Sequence, residues 1–199
     1  MYPGSARIAF RLAVGDNRPM SMFNTRSADL DGAPAATLRP AVPPDLPVIV
    51  GLIHELAVYE CLQHMVTVTA QSLHPFLFGP KPVAEAIVAE VWDEEGGDTP
   101  RVVGFALFYT NFSTFLGQPG LHLEDLYVQA AYRHLGLGRM LLERLGSLAL
   151  ERGCGRFEWN VLDWNESAIR FYERLGAKVL PDWRICRVSG DSLKRFGRA

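Results

Sequence analysis

The stretch that most constrains this chain runs without interruption from residue 121 to residue 153. A strand-like run LHLEDLYV (121–128) leads through Gln129 to Tyr132 into RHLGLG (Arg133, His134, Leu135, Gly136, Leu137, Gly138) and then into a leucine-striped helix. Leu137, Leu141, Leu145 and Leu148 recur at helical spacing, so the spacing predicts a helix over 136–152 with one buried face, and Gly153 suits its C-terminal turn. A strand feeding a buried helix through a glycine-rich turn calls for helices layered on a sheet. A Gly-x-Gly at a helix N-terminus also lets a phosphate approach bare backbone, where unpaired N–H groups and the helix dipole favour an anion. Arg133 puts a fixed positive charge at the same end. Two nucleotide motifs fail on spacing: a dinucleotide fingerprint needs glycine where Leu141 stands, and a P-loop needs a Gly-Lys-Ser/Thr that is absent. Taken alone, such a turn more often closes a strand–helix connection than holds a ligand.

The remaining chain is punctuated in the same style. Residues 45–60 carry Leu46, Ile49, Ile53, Leu56 and Ala57 at helical spacing after Pro43, Pro44 and Asp45, and Glu60 falls in the middle of that apolar face. Residues 101–109 and 121–128 read as two antiparallel strands and 156–162 as another; in 83–92 Ala and Glu favour a helix while Gly96-Gly97 followed by a strand favours a hairpin, and the balance leans to strand. A helix over 166–175 ends at Gly176, followed by short strands near 177–180 and 183–188. The order predicts a mixed α/β (α+β) sheet in one domain, residues 37–199, after a disordered extension, residues 1–36, whose arginines and aspartates break up every signal-peptide candidate.

Composition narrows the partner. The chain has 199 residues, 20 Lys+Arg against 22 Asp+Glu and a net charge of −2, so it lacks the cationic field that nucleic-acid binding requires, and a small molecule is expected instead. The longest uncharged stretch, 61–80, is interrupted by Gln63, His64, Gln71, His74 and two prolines, which excludes a membrane span there. Cys61, Cys154 and Cys186 form no CxxC pair and read as reduced thiols of a cytoplasmic protein. The five histidines include no i, i+4 pair, and His54-Glu55 has Val58 where a zinc helix needs a second histidine, so no metal is expected.

A second motif supplies the context the glycine turn lacks: Trp164-Asn165-Glu166-Ser167-Ala168-Ile169-Arg170-Phe171-Tyr172-Glu173-Arg174-Leu175-Gly176-Ala177. The ordered pair of motifs resembles the Gcn5-related N-acetyltransferase (GNAT) superfamily over residues about 37–188, most closely its spermidine/spermine and thialysine (diamine) acetyltransferases. His54 to Glu60, Leu123 to Val128, and Asp163 through Tyr172 carry the closer likeness. The resemblance implies a mostly antiparallel, V-shaped sheet flanked by helices, a homodimer, and acetyl-CoA as cosubstrate. It places pyrophosphate on the backbone of His134, Leu135, Gly136, Leu137, Gly138 and Arg139, pantetheine along Leu126, Tyr127 and Val128, and further contacts at Asn165 and Ser167.

Chemistry assigns the other roles. An amine has a pKa of ~10.4 and must lose a proton before attacking a thioester, so a carboxylate in a partly covered cleft is useful; Glu124 and Glu60 are the candidates, and the resemblance implies Tyr59 and Asp125 as further substrate contacts. Strict alternation along 121–128 groups Glu124 with His122, Leu126 and Val128, and Asp125 with Leu123 and Tyr127; both faces hold apolar residues, so one carboxylate is covered. Tyr172 is a candidate acid for the departing thiolate, although with Ala168, Phe171 and Leu175 it also fits a buried helix stripe. The four tryptophans, Trp92, Trp159, Trp164 and Trp183, read as core or dimer-contact residues. The expected activity is acetyl transfer to a primary amine of a small molecule, with a protein lysine or N-terminal acetyltransferase and a non-catalytic acyl-CoA-binding module as alternatives. Where the mammalian polyamine enzymes carry two more acidic residues after Tyr59-Glu60, this chain has Gln63 and His64, so a long polyamine is not required as acceptor.

Overall fold

A computed structural model of the chain describes residues 35–92 and 99–197, which fall into two compact units meeting at Trp159/Asn160. The expected N-terminal extension lies outside the described residues except for its last two, of which Ala36 already opens a strand.

The first unit is built on a five-stranded sheet in chain order: β1 (Ala36–Pro40), β2 (Glu85–Val91), β3 (Arg101–Ser113), β4 (Gln118–Val128) and β5 (Arg156–Trp159). The first four strands pair antiparallel and β5 joins β4 in parallel. Helices α1 (Leu46–Tyr59) and α2 (Ala70–Phe78) fall between β1 and β2, and α3 (Leu137–Glu151) forms the crossover from β4 to β5. That crossover satisfies the need of a parallel pair for a long connection. The helices read from periodicity at 45–60 and 136–152 are α1 and α3, and the run at 83–92 is strand β2.

One apolar layer packs Leu46, Ile49 and Leu52 of α1 and Leu77 of α2 on Ala86, Val88, Phe105, Leu107 and Tyr127 of the sheet. In α3, Leu137, Leu141, Leu145 and Leu148 are all buried, as their spacing requires. At about 25 cal/mol per Å² of apolar surface, each such leucine contributes roughly 1.5–3 kcal/mol relative to exposure, which outweighs any single surface ion pair. The entry to α1 is set by charge: Arg39 of β1 clasps Asp45 at 2.6 and 2.8 Å and Glu90 of β2 at 2.7 Å, and Asp45 accepts from the Val42 N–H at 2.7 Å. At the other end, Thr69 and Ser72 exchange side-chain-to-backbone bonds that start α2.

The second unit holds α4 (Glu166–Arg174) and α5 (Gly190–Phe196). The strands expected near 177–180 and 183–188 do not form: this stretch is irregular, with Val179, Leu180, Trp183, Ile185 and Val188 exposed, and no covered face rewards strand pairing. The strand expected over 156–162 ends at Trp159. Trp164 and Trp183 are exposed, which removes the core reading for those two.

Candidate active site

The sheet opens where its parallel pair stops. β4 and β5 pair from Gly120↔Arg156 to Leu123↔Trp159, yet β4 continues to Val128, so the backbone edge of Leu126, Tyr127 and Val128 extends past the end of β5. Beyond it the chain makes a tight 3-10 stretch, Ala130–Leu135, turns at Gly136 with φ of 73°, and enters α3. That left-handed φ explains a glycine here. The first helical bond in α3 runs from the Met140 N–H to Gly136 O at 3.1 Å and no side chain caps the helix, so the N–H groups of Leu137, Gly138 and Arg139 precede the intrahelical ladder. A Cβ built on Gly138 would meet only Leu126 Cδ2, at 3.9 Å, which leaves open space over the turn. An uncapped 15-residue helix beneath a glycine turn, beside an extended strand edge, fits a diphosphate joined to an amide-bearing arm, as in coenzyme A.

The predicted cofactor positions Leu126, Tyr127, Val128 and His134 to Arg139 therefore lie on one strand–turn–helix element. Arg133 has protein contacts of its own: its Nε donates to Val128 O at 3.0 Å, and its guanidinium carbon lies 5.0 and 5.4 Å from the ring centres of Tyr59 and Tyr127. The Arg139 side chain is engaged by Glu143 at 2.7 Å on the helix surface.

The acidic face depends on a fault in the sheet register. Leu107 pairs with Asp125 but Phe108 pairs with Leu123, leaving Glu124 as the extra residue of a β-bulge. Paired residues share a face, so Phe105, Leu107 and Tyr109 line one side together with Tyr127, Asp125 and His122. The strict alternation predicted from sequence is thereby corrected: His122, not Leu123, accompanies Asp125. His122 lies 3.9 Å from both the Glu124 and the Glu158 carboxylates and 4.9 Å from the Tyr109 ring, and Asn111 Nδ2 donates to Glu158 at 2.7 Å. Sequence reasoning gives Tyr109 and His122 no role in the site: Tyr109 reaches this face by simple alternation along β3, whereas the bulge in β4 is what brings His122 onto the same side as Asp125.

Two carboxylates act on a third here. Asp125 is pushed up to about 6, first by burial and then by the charges of Glu124 and Glu60. Glu60, which caps α1 rather than lying within it, is also raised by burial, whereas Glu124 is half exposed. The covered member of the strand pair is thus Asp125. Tyr109's hydroxyl is raised by burial and by Glu124 and Glu158. Gln63 and His64 are exposed on a 3-10 turn just after Glu60.

In the second unit, Asn165 caps α4 by accepting from the Ala168 N–H at 3.3 Å, and Ser167 Oγ donates to the same Asn165 oxygen at 3.2 Å. Tyr172 sits on α4, partly covered, with its ring 5.5 Å from that of Phe171; no residue of α4 is fully buried, so the stripe is not a closed core.

An open strand edge running into an uncapped, glycine-led helix suits a diphosphate-bearing cosubstrate, and comparison with known proteins gives the class as acyltransferase. The profile of the acetyltransferase (GNAT) family matches residues 69–177. Among curated proteins, the chain is 34% identical over 199 aligned positions to the L-ornithine N5-acetyltransferase of Arabidopsis thaliana, covering 81% of this chain and 87% of that protein. It is 36% identical over 152 positions to the thialysine N-epsilon-acetyltransferase of Bos taurus, covering 74% and 89%. An integron cassette protein from Vibrio cholerae shares the fold with a TM-score of 0.66 at 22% identity, over 82% of this chain and 98% of that one. The chain belongs to the GNAT acetyltransferase family. It is an acyltransferase, and its family uses acetyl-CoA as cosubstrate.

Proposed function

We propose that this chain transfers acetyl from acetyl-CoA to a primary amine of a small molecule, of the ω-amino acid or short diamine class. The observation that carries the reading is the covered carboxyl of Asp125 at the β4 bulge, on which the charges of the adjacent Glu124 and of Glu60 at the end of α1 both act. Such a carboxylate is destabilised when no cation is near, and an incoming ammonium relieves the repulsion. The relatives named for ornithine and thialysine act on amines of this kind.

The same carboxyl addresses the proton. An ordinary aspartate lies more than six units below an amine of pKa ~10.4, a transfer costing roughly 9 kcal/mol. With Asp125 raised to about 6, the gap narrows to about four units, or roughly 6 kcal/mol, which a turnover of ordinary speed can carry. In this proposal Asp125 and Glu60 hold the ammonium, Asp125 accepts its proton, and the more exposed Glu124 passes it to water. Tyr59 flanks the acceptor. The amides of Leu137, Gly138 and Arg139, within the His134 to Arg139 turn, hold pyrophosphate. Leu126, Tyr127 and Val128 pair with the pantetheine arm, and Asn165 and Ser167 contact the cosubstrate. From α4, Tyr172 protonates the departing thiolate, a step a phenol of pKa ~10 can perform, and the second proton that nitrogen sheds as the amide forms restores the phenol.

A homodimer in a reducing, cytoplasmic compartment completes the proposal. It is supported by three free thiols and by exposed Phe112, Phe115 and Leu116 around the β3–β4 hairpin. The direct test is incubation with acetyl-CoA and thialysine or ornithine: equal amounts of free CoA and N-acetyl amine are expected, and acetyl-CoA consumed without acetylated amine, or not consumed, overturns the reading.

A further inference from the structure

Arg133 was expected to strengthen the anion site, yet its guanidinium is turned to other work. Its Nε donates to the carbonyl of Val128, the last residue of β4, at 3.0 Å. Its guanidinium carbon lies over two tyrosine rings, 5.0 Å from the centre of Tyr59 at the end of α1 and 5.4 Å from that of Tyr127 in β4. One helical turn before Tyr59, Glu55 accepts from Gln129 Nε2 at 2.9 Å and acts on the Tyr127 hydroxyl, which burial and Glu55 raise while Arg133 pulls it back. Two residues on one edge of α1 are thus held against three consecutive residues at the end of β4, with Arg133 in contact with both elements.

What this fixes follows from the chain order. Glu60 comes directly after Tyr59, and the turn that ends α1 is closed by bonds from Cys61 to Val58 O at 3.1 Å and from Leu62 to Ala57 O at 2.8 Å. The position of the Glu60 carboxylate relative to Asp125 is therefore set by how the end of α1 is held to β4. The geometry points to Arg133 as a positioning residue for the acceptor cleft, acting through Tyr59 and Val128, and not as a ligand for the cosubstrate phosphates. This inference rests on the reading of Glu60 and Asp125 as the acceptor cleft.

The two roles separate by chemistry. A phosphate ligand needs charge, which lysine keeps. A stacked and hydrogen-bonded guanidinium needs its plane and its Nε, which lysine lacks. Arg133→Lys and Arg133→Met are compared with wild type for CoA affinity by calorimetry and for kcat and KM toward the best small amine. Losing two ring contacts and one hydrogen bond is expected to raise the amine KM about tenfold in both variants, with CoA affinity within about twofold. A CoA affinity that falls at least tenfold in Arg133→Met and returns in Arg133→Lys overturns the inference, and so does an amine KM unchanged in both.

Two controls keep the layers apart. Tyr59→Leu and Arg133→Met are combined in an unfolding cycle on the full chain, where non-additive destabilisation supports the Tyr59–Arg133 contact and additivity contradicts it, whatever the substrate. Glu60→Gln is assayed alongside: if it leaves the amine KM unchanged while the Arg133 variants raise it, the acceptor assignment of Glu60 fails while the positioning effect of Arg133 stands.

Discussion

Replacing Asp125 with asparagine keeps the shape of the side chain and removes its charge, which makes it a direct probe of what burial and, after it, the charges of Glu124 and Glu60 cost this carboxylate. In the folded chain this carboxyl titrates at about 6 against an ordinary 3.8, a shift of about two units, or roughly 3 kcal/mol. Because the folded value is raised, the folded state holds the proton more tightly than the unfolded one. The associated stability is fully present below about 3.8, falls as pH rises through the interval up to about 6, and is absent above it. At pH 7.5 the wild type therefore carries the whole cost of an ionised, partly buried aspartate, and Asp125→Asn escapes it. The variant is expected to be more stable by about 2–3 kcal/mol at pH 7.5, and that advantage shrinks by about 1 kcal/mol by pH 5, where the wild-type carboxyl is mostly protonated. Urea unfolding at a series of pH values between 5 and 8 measures both numbers. An Asn variant less stable than wild type at pH 7.5, or an advantage independent of pH, refutes the reasoning. The gain in stability should accompany a loss in kcat/KM, because the repulsion that destabilises the empty cleft is what an ammonium relieves.

Three further outcomes follow from the same structure. Gly138→Val has room for its Cβ, with only Leu126 Cδ2 at 3.9 Å, so the fold should persist while CoA affinity drops; calorimetric binding equal to wild type contradicts the phosphate assignment. Cys61 sits in the left-handed region at φ of 59° in the turn that ends α1, so Cys61→Gly should stabilise the chain by about 1 kcal/mol, and denaturant unfolding that shows a loss contradicts the cost assigned to that conformation. Tyr172→Phe should lower kcat by about 10- to 1,000-fold with acetyl-CoA affinity unchanged, and wild-type turnover returns this tyrosine to a packing role.

The parts of the molecule legible in the sequence are those governed by local periodicity. Leucines 137, 141, 145 and 148 are spaced for one helix face and all four are buried. Gly136 stands where the chain needs a left-handed turn, and a lone glycine pair gains meaning once the α4 motif accompanies it. What escaped was set by pairing between distant segments. The bulge at Glu124 arises from the register of β4 on β3, and no alternation within 121–128 reveals it. For that reason alternation pairs His122 with Glu124, from which it does lie 3.9 Å, but does not show that it also shares the Asp125 face. Arg133 shows the same limit: its sequence position predicts a charge at the helix N-terminus, and its contact with Tyr59, 74 residues earlier, depends on α1 packing on the sheet. The apolar residues at 177–188 satisfied strand propensity but lie exposed without a partner strand, a reminder that β-propensity registers a covered surface more than a backbone preference.

The central claim, that the acidic cleft serves a small primary amine, is tested most directly by steady-state CoA release from acetyl-CoA across one panel: ornithine, thialysine, short diamines, spermidine and a lysine-containing peptide. The account predicts the highest kcat/KM for the short ω-amines, with spermidine gaining little because Gln63 and His64 offer no carboxylate to a distal ammonium. Spermidine exceeding thialysine and the short diamines by more than about tenfold, or the peptide outperforming every small amine, would contradict it.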